Sequence, residues 1–218
     1  MRSILVTRWW VKATLPRIRA LNDGSGQVMP DREKADILVA LEEVRGKPRP
    51  ATLRNINDCG DIGLKIGRDG TWFYRDSAIG RKPLVKLFAS VLRREDDGRH
   101  YLVTPVENVL IEVADAPFMA IEMWSEGGGE AQRLFFRTNV DDMVSAGPEH
   151  PLQFRAGEDG TQVPYVLVRD GLEAKLARPI YYELVALAVP RGPGHNTLGV
   201  WSGGIFYAFP TDDFAAAP

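Results

Sequence analysis

The chain has 218 residues, of which 44% are hydrophobic and 26% charged, a composition typical of a globular protein with one large or two small domains. Its single cysteine, Cys59, excludes an intrachain disulfide framework and a cysteine-based metal site. No apolar run in the sequence is long enough to cross a bilayer.

Positive charge is concentrated at the start of a chain whose net charge is −2. Five of the 27 basic residues lie in residues 1–22, which contain no acidic residue, so the rest carries 22 basic against 29 acidic residues. That balance argues against generic nucleic-acid binding, because phosphate contacts need concentrated positive charge. The sequence predicts a cytoplasmic protein with no nucleic-acid partner, no metal and no cofactor.

Residues 1–28 are predicted to form a flexible leader. Arg8 interrupts the candidate apolar region and no small-residue cleavage site follows, so a secretory signal is not indicated. Pro16 would break a long amphipathic helix, and Asn22–Gln27 has a flexible composition. Met29 is an alternative first residue, and an arm that binds a membrane surface or nucleic acid is the other interpretation.

An N-terminal domain is predicted over residues 29–115. It begins with a helix over 31–44, with Pro30 before it and Gly46 after it. An irregular linker, Lys47–Pro50, follows.

From Ile62 the pattern changes to that of strands. Ile62, Leu64 and Ile66 alternate with small or polar residues, and the turn Gly67–Gly70 leads into the aromatic strand Thr71–Tyr74. A helix then starts at a proline, whose missing N–H costs nothing in a first turn. Its apolar face has the spacing 0, 3, 4, 7, 8 and is formed by Leu84, Leu87, Phe88, Val91 and Leu92.

The rest of the chain is predicted to be mostly hairpins. Strands over 101–104 and 109–113 close the first domain, and the second, over 116–218, opens with a hairpin around Gly127–Gly129. This triple glycine lacks the Lys and Ser/Thr of a phosphate-binding loop, and no helix follows it, so a hairpin tip is favoured. A last hairpin is predicted over 198–209.

The order of elements recurs later in the chain. Asp69-Gly70-Thr71 is repeated 90 positions on as Asp159-Gly160-Thr161, and a strand follows each copy. A second helix over 179–189 repeats the first helix's apolar spacing with Tyr181, Leu184, Val185, Ala188 and Val189. The pattern predicts an α+β fold of two β-rich units related by duplication, each with a packed helix, with an insertion at 171–177 in the second.

No catalytic motif is present. Ser202 lacks the glycine two positions earlier that a nucleophile elbow requires, and it is predicted to be the corner of the last hairpin. The pairs Asp96–Asp97 and Asp141–Asp142 are poor acid–base dyads, because adjacent strand residues point to opposite faces. The three histidines are not at metal-ligand spacing. His150 is kept as a candidate because the flanking glutamate and proline could fix its ring and backbone.

Arginines at equivalent places suggest an anion site. Arg81 and Arg178 stand just before the two predicted helices, where backbone N–H groups and a guanidinium could converge on one anion. Trp72 and Tyr74 offer flat surfaces for stacking a ring. Pairing of the arginines with local carboxylates, and burial of the aromatics in the core, is the alternative. The candidate ligand-binding residues are Trp72, Tyr74, Arg81, Glu107, His150, Arg169 and Arg178.

Four segments, at 69–98, 101–118, 149–152 and 164–188, resemble a bacterial domain-of-unknown-function family of cytoplasmic proteins. The similarity covers about residues 45–209 and leaves residues 1–28 as an addition. It implies a duplicated α+β core with a C-terminal half similar to pleckstrin-homology folds. It also implies a nucleotide-like ligand at the interface of the halves and a role in signal transduction. It assigns no residue a role.

Three functions remain open. The leading one is a cytoplasmic sensor that binds a small anionic ligand between its halves. The second is a protein-interaction module without a small ligand, which would show a flat apolar patch in place of a polar pocket. The third is an unrecognised hydrolase built from residues distant in sequence, with His150 and Glu107 as the first candidates.

Deleting residues 1–28 is expected to leave the melting temperature within about one or two degrees, because the segment has no periodicity that could add to the core. Calorimetry of the full and shortened chains measures the difference. A loss of several degrees would show that this segment packs on the body.

Overall fold

The computed structural model describes residues 57–104, 107–157, 160–192 and 197–210, without the side chains of 57–61 and 107. All of these residues fall within one of the two units of the chain, Pro50–Pro218. The predicted leader, the helix at 31–44 and the linker after it lie outside the described residues.

The first six-stranded sheet uses the residues that the sequence marked as strands from Ile62 onward. Its strands are β1 (Asn57–Ile66), β2 (Trp72–Tyr74), β3 (Ser77–Ala78), β4 (Leu92–Arg94), β5 (His100–Val103) and β6 (Glu107–Val113). The helix α1 (Lys82–Val91) connects β3 to β4. Across the sheet the strands lie in the order β4-β5-β6-β1-β2-β3.

The second six-stranded sheet follows directly. Its strands are β7 (Phe118–Glu126), β8 (Arg133–Thr138), β9 (Met143–Ser145), β10 (Leu152–Ala156), β11 (Gln162–Arg169) and β12 (Leu172–Leu176). The helix α2 (Arg178–Ala186) comes after the last of them. The order across this sheet is β10-β11-β12-β7-β8-β9.

The two sheets repeat one topology. Each consists of two antiparallel three-stranded meanders, and each joins them by a parallel pair, β6 with β1 and β12 with β7. In both, the last strand of the second meander lies beside the first strand of the first. Strands predominate over helices in the described residues, and the architecture is that of two repeated β-rich sheet units.

The repeat in the sheets differs from the repeat predicted from sequence. The motifs at 69–71 and 159–161 belong to the first meander of one sheet and the second meander of the other. The helices are therefore not equivalent, since α1 connects two meanders and α2 follows the last one. The segment 171–177, predicted to be an insertion, contains β12, one of the two strands of the parallel junction. The motif repeated in the sequence reflects two turns with the same local structure.

That turn chemistry is the same in both copies. The Gly67 N–H donates to Thr71 O (2.8 Å) and the Gly70 N–H to Gly67 O (2.9 Å), and the same bonds join Gly157, Thr161 and Gly160 at 2.7 and 3.1 Å. Gly70 and Gly160 have φ of +76° and +78°, a left-handed conformation that glycine adopts without a steric penalty. The predicted hairpin turn at 67–70 is confirmed.

The predicted apolar face of the first helix is confirmed at Leu84, Leu87 and Phe88, whereas Val91 is only partly buried and Leu92 belongs to β4. The predicted face of the second helix is corrected. In α1, Leu84, Leu87, Phe88 and Ala89 are buried, and the helix has its proline in the first turn as predicted. In α2 the buried residues are Ile180 and Leu184, and the helix ends at Ala186 instead of reaching 189. Val189 precedes Pro190, and a residue before proline disfavours helical backbone.

The closing hairpin is confirmed as part of a small third sheet, β13 (Val189–Pro190), β14 (Leu198–Ser202) and β15 (Ile205–Ala208). Ser202 lies at its corner and is fully buried. Its hydroxyl donates to Ala146 O (2.7 Å) and accepts from the Leu134 N–H (2.9 Å), which fastens this sheet to β8.

Substituting alanine at Gly70 is expected to destabilise the protein more than the same change at Gly160. Both residues would have a left-handed backbone that costs a side chain roughly 1–2 kcal/mol. At Gly70 a Cβ would also lie 2.7 Å from Met119 Cγ and 2.9 Å from Asn139 Nδ2, whereas nothing lies within 4 Å of it at Gly160.

Overpacking of this kind adds typically about 1–3 kcal/mol to the loss. Urea unfolding of Gly70→Ala and Gly160→Ala compares the two free energies of unfolding. Equal losses would show that Gly70 is needed for its turn alone.

Candidate functional site

The aromatic residues predicted to stack a ligand occupy different environments. Trp72 is 1% exposed and its ring stacks on Phe88 at a centroid distance of 5.9 Å. It is a core residue, which corrects the prediction that its ring offers a free surface. Tyr74 is partly exposed, with the Arg75 guanidinium carbon 5.3 Å from its ring centre.

Arg81 and Arg178 are exposed at the starts of α1 and α2. Neither helix has a side-chain cap or an acidic residue in its first turn. In the part of the chain that the structure describes, neither guanidinium is within hydrogen-bond or ion-pair distance of a partner, and no contact brings the two together. A shared anion between them stays a prediction.

The imidazole ring of His150 contacts the backbone of β11. Its Nδ1 lies 3.0 Å from the carbonyl oxygen of Leu167, so β11 orients the ring, and not Glu149 as predicted. Glu107 is the first residue of β6, and its side chain lies outside the described part of the chain.

Arg169 lies where the two halves meet. Its Nη2 donates to Ala89 O of α1 (2.8 Å), its Nη1 donates to Asp142, and its guanidinium carbon is 5.0 Å from the ring centre of Phe118. The guanidinium is thus hydrogen-bonded through both terminal nitrogens and also lies over an aromatic ring. We assign it to holding the halves together.

The same region contains a loop that we name the seam loop, Thr138–Asp142, between β8 and β9. Asn139 donates through Nδ2 to Gly70 O (3.2 Å) and accepts the Met119 N–H at Oδ1 (3.1 Å). Asp141 bonds to Lys86 of α1, and also to Arg137 at 2.5 Å. The hydrogen bonds from Lys86 and Arg137 lower the pKa of Asp141. The two residues of the predicted acidic pair therefore bind different cations: Asp141 binds Lys86 and Arg137, and Asp142 binds Arg169.

A second polar group stands near the connection between the two sheets. We name it the junction cluster, and its members are Asp115, Arg155, Tyr165, Glu173 and Lys175. Asp115 lies between β6 and β7 and accepts the Tyr165 hydroxyl (2.8 Å) and the Lys175 ammonium (2.6 Å) on its two oxygens. Arg155 donates from both terminal nitrogens to Glu173, once at 2.8 Å, and also to Gln153 at 3.0 Å.

The strand register puts these groups on one face of the second sheet. Tyr165 pairs directly with Lys175 on one side and with Gln153 on the other, and directly opposed residues share a face. The Arg155 guanidinium carbon is 4.6 Å from the centre of the Tyr165 ring. The cluster is therefore a convergent set of two cations, two carboxylates and a phenol.

Most side chains of this cluster are largely shielded from water, whereas that of Arg155 is 47% exposed. Tyr165 is 7% exposed, and the side chains of Glu173, Asp115 and Lys175 are 16%, 22% and 24% exposed. By contrast the Lys65–Asp76 pair is exposed at 41% and 86%. Charges that leave water must be paired and hydrogen-bonded, which the cluster achieves internally.

The pKa of Tyr165 is raised to about 12, mainly by burial and secondly by its hydrogen bond to Asp115. The phenol is therefore a neutral hydrogen-bond donor at physiological pH and a poor general base. The hydrogen bonds to Glu173 raise the pKa of Arg155. The cluster can bind and orient a polar ligand.

Sequence reasoning missed the junction cluster. Its residues are spread from Asp115 to Lys175 and meet only through the register of β10, β11 and β12. The one signal was the alternation of polar and apolar residues in 153–156 and 172–176, which marks a half-exposed face without saying what lies opposite.

Across the described ranges, no three His, Cys, Asp or Glu side chains are placed to hold a metal ion. Of the helices in those ranges, none is long and apolar enough to span a membrane.

The chain matches two family models that meet in the connection holding the junction cluster's aspartate. Residues 50–116 match the model described as "Domain of unknown function (DUF1285), N-terminal domain", and residues 117–209 match "Protein of unknown function (DUF1285), C-terminal domain". The chain belongs to the DUF1285 family. The resemblance drawn from the sequence motifs is thereby confirmed.

Two solved DUF1285 structures are similar to this chain. A DUF1285 family protein from Silicibacter pomeroyi DSS-3 is 40% identical, with 80% of this chain and 96% of that chain covered and a TM-score of 0.68. A DUF1285 family protein from Shewanella baltica OS155 is 28% identical, with 57% and 91% covered and a TM-score of 0.46. Comparison with curated proteins finds no match.

Replacing Tyr165 by phenylalanine is expected to remove a titration near pH 12 from the tyrosinate absorbance of the folded protein. Because the folded-state pKa is raised above the ordinary value of 10, the contribution of this group to stability is complete below pH 10 and is lost as pH rises toward 12. The free energy of unfolding should therefore fall with pH in that window more steeply in the wild type than in the variant.

Identical slopes, together with loss of an absorbance titration near pH 10 instead of pH 12, would show that Tyr165 ionises like an exposed tyrosine. Tyr182→Phe supplies the matched control, because Tyr182 is 66% exposed and lies outside the cluster.

Proposed function

We propose that this DUF1285 protein is a non-catalytic binding protein, of the sensor type, that takes a small anionic ligand at the junction cluster. The observation that carries the proposal is the convergence of half-buried donors on one sheet face beside the connection between the two halves. Convergent polar groups with perturbed pKa values are a common mark of ligand sites, although ion-pair networks also show them.

The cluster retains donors for an anion. An ammonium has three N–H groups, and Asp115 uses one of those on Lys175. A guanidinium has five, and Glu173 and Gln153 use three of those on Arg155. The remaining donors suit a carboxylate or phosphate, which such groups recognise with charge-assisted hydrogen bonds.

The position of Asp115 supports a sensor. This residue belongs to the connection between β6 and β7, and its two oxygens are held by Tyr165 and Lys175. An anion that draws Lys175 away from Asp115 would loosen that connection. Ligand binding would then change how the two halves are joined, which is the differential contact that a switch requires.

The finer parts of the proposal come from the resemblance and from the order of elements. Two meanders followed by a helix in the C-terminal half support the α+β, pleckstrin-like description, and the two family models support a domain boundary near 115–116. A nucleotide-like ligand, signal transduction and a cytoplasmic location are carried as part of the same proposal.

Titration calorimetry and thermal shift with inorganic phosphate and a panel of nucleotides test this function. A ligand at 100 times its Kd should stabilise the protein by about 2.7 kcal/mol. Lys175→Met and Arg155→Met should each weaken binding about 10- to 100-fold, the effect of losing a charge-assisted hydrogen bond. Lys65→Met removes a lysine from the exposed pair with Asp76 and should leave affinity unchanged.

The outcomes separate three cases. Unchanged affinity in both cluster variants, with a large loss in Arg81→Ala and Arg178→Ala, would place the ligand at the helix starts. Equal losses in all variants, including Lys65→Met, would indicate non-specific charge. If no member of the panel shifts the melting temperature, the nucleotide-like ligand is excluded.

A second function, a protein-interaction module, is favoured by exposed apolar side chains on the second half. Ile121 and Met143 are 40% and 64% exposed on the second sheet, and Tyr182 is 66% exposed on α2. Trp124 and Phe135 stack at 5.2 Å on the partly exposed face of β7 and β8. Such a surface suits a protein partner, and it is independent of the junction cluster.

A further inference from the structure

The edges of the three sheets are protected unequally. An edge strand exposes unpaired backbone groups, and proteins blunt such strands with short length, charge, proline or bulges. In the described residues β3 and β13 have two residues each and β9 has three. Strands β4 and β10 carry arginines. Only β15, with the sequence Ile-Phe-Tyr-Ala, has four residues and no charge or proline among these edges.

The outward backbone groups of β15 can be assigned from its register. The Phe209 N–H donates to Leu198 O (2.9 Å), and Tyr207 pairs with Val200. Because hydrogen-bonded pairs alternate along an antiparallel ladder, positions 205, 207 and 209 direct their N–H and C=O groups to β14. Phe206 and Ala208 therefore direct theirs away from the sheet.

The side chains of these two residues share the outer face of the third sheet. The Phe206 ring contacts Trp201 edge-on at 5.2 Å and lies over Gly199, where a Cβ would be 2.7 Å from the ring. Ala208 is directly opposite Gly199 and is exposed. The ring is thus held in a fixed place, and a small residue lies two positions further along the strand.

We infer that β15 pairs antiparallel with β15 of a second copy of this chain, about a twofold axis at Tyr207. This register places Phe206 of each copy opposite Ala208 of the other copy, so the pair occurs twice. Each such pair exchanges both N–H···O bonds, and a large side chain meets a small one on the outer face. A strand without charge meets its own copy without repulsion, which favours self-association over a charged peptide partner.

The pairing joins two three-stranded sheets into one six-stranded sheet across the dimer. It uses no residue of the junction cluster or the seam loop, so it goes beyond the proposed function and does not depend on it.

Sedimentation velocity of the full chain over a concentration series tests the inference. The wild type should approach twice the monomer mass of 24.2 kDa. Ala208→Lys places a charge on the exposed edge, near its own copy across the axis, and should leave a folded monomer whose melting temperature, unlike that of the wild type, does not depend on protein concentration. Ala78→Lys is the matched control, an exposed alanine on the short edge strand β3, and should dimerise like the wild type.

Cross-linking identifies the register. In a Cys59→Ser background, mixing Phe206→Cys with Ala208→Cys should give a disulfide-linked dimer, because these positions are opposed, while Ala78→Cys mixed with either should not. A monomeric wild type at all concentrations would overturn the inference, as would dimerisation of Ala208→Lys at wild-type affinity. If only a chain ending at Pro210 dimerises, residues 211–218 occupy the edge and the inference is also wrong.

Discussion

The hydrogen bonds of Asn139 determine how the two sheet units meet. One amide side chain binds the Gly70 carbonyl of the first unit and the Met119 backbone N–H of the second, at 3.2 and 3.1 Å. The turn can approach this closely because Gly70 has no side chain. With the turn in this place, α1 lies where Lys86 reaches Asp141 and where Arg169 reaches the Ala89 carbonyl. The part-buried Asn139 amide would carry a desolvation cost if it were left unpaired at this place.

The charges of the seam and of the junction cluster have different consequences. In the seam, Arg169 is committed to a backbone carbonyl and a carboxylate, so a ligand there would have to replace contacts that hold the halves together. In the junction cluster the contacts are among side chains of one sheet and its connection, and Lys175 keeps unused donors. A ligand at the junction cluster would therefore replace fewer of the contacts that hold the halves together, which is why the proposed ligand is assigned to that cluster.

Local structure was predictable from sequence wherever one residue type dictates it. The glycine turn at 67–70 and the proline-led start of α1 both follow from backbone rules. The end of α2 was missed because the apolar spacing continued to Val189, although Pro190 favoured an extended backbone. Trp72 was misplaced for a related reason, since an aromatic residue on a strand looks the same whether its face is covered or free. The junction cluster could not be predicted from the sequence, because Tyr165 and Lys175 become neighbours only through cross-strand register.

The parallel junctions of the two sheets also affect how the chain folds. Each three-stranded meander joins neighbouring segments by short turns, so little loop entropy opposes its formation. The pairs β1–β6 and β7–β12 join the first and last strands of each unit, and within each sheet these are the strand pairs most separated along the chain. Across small proteins, the logarithm of the folding rate falls as the mean sequence separation of the contacts rises. We therefore expect the meanders to form early in folding, and closure of the two parallel pairs to be the late step that commits each unit to its topology.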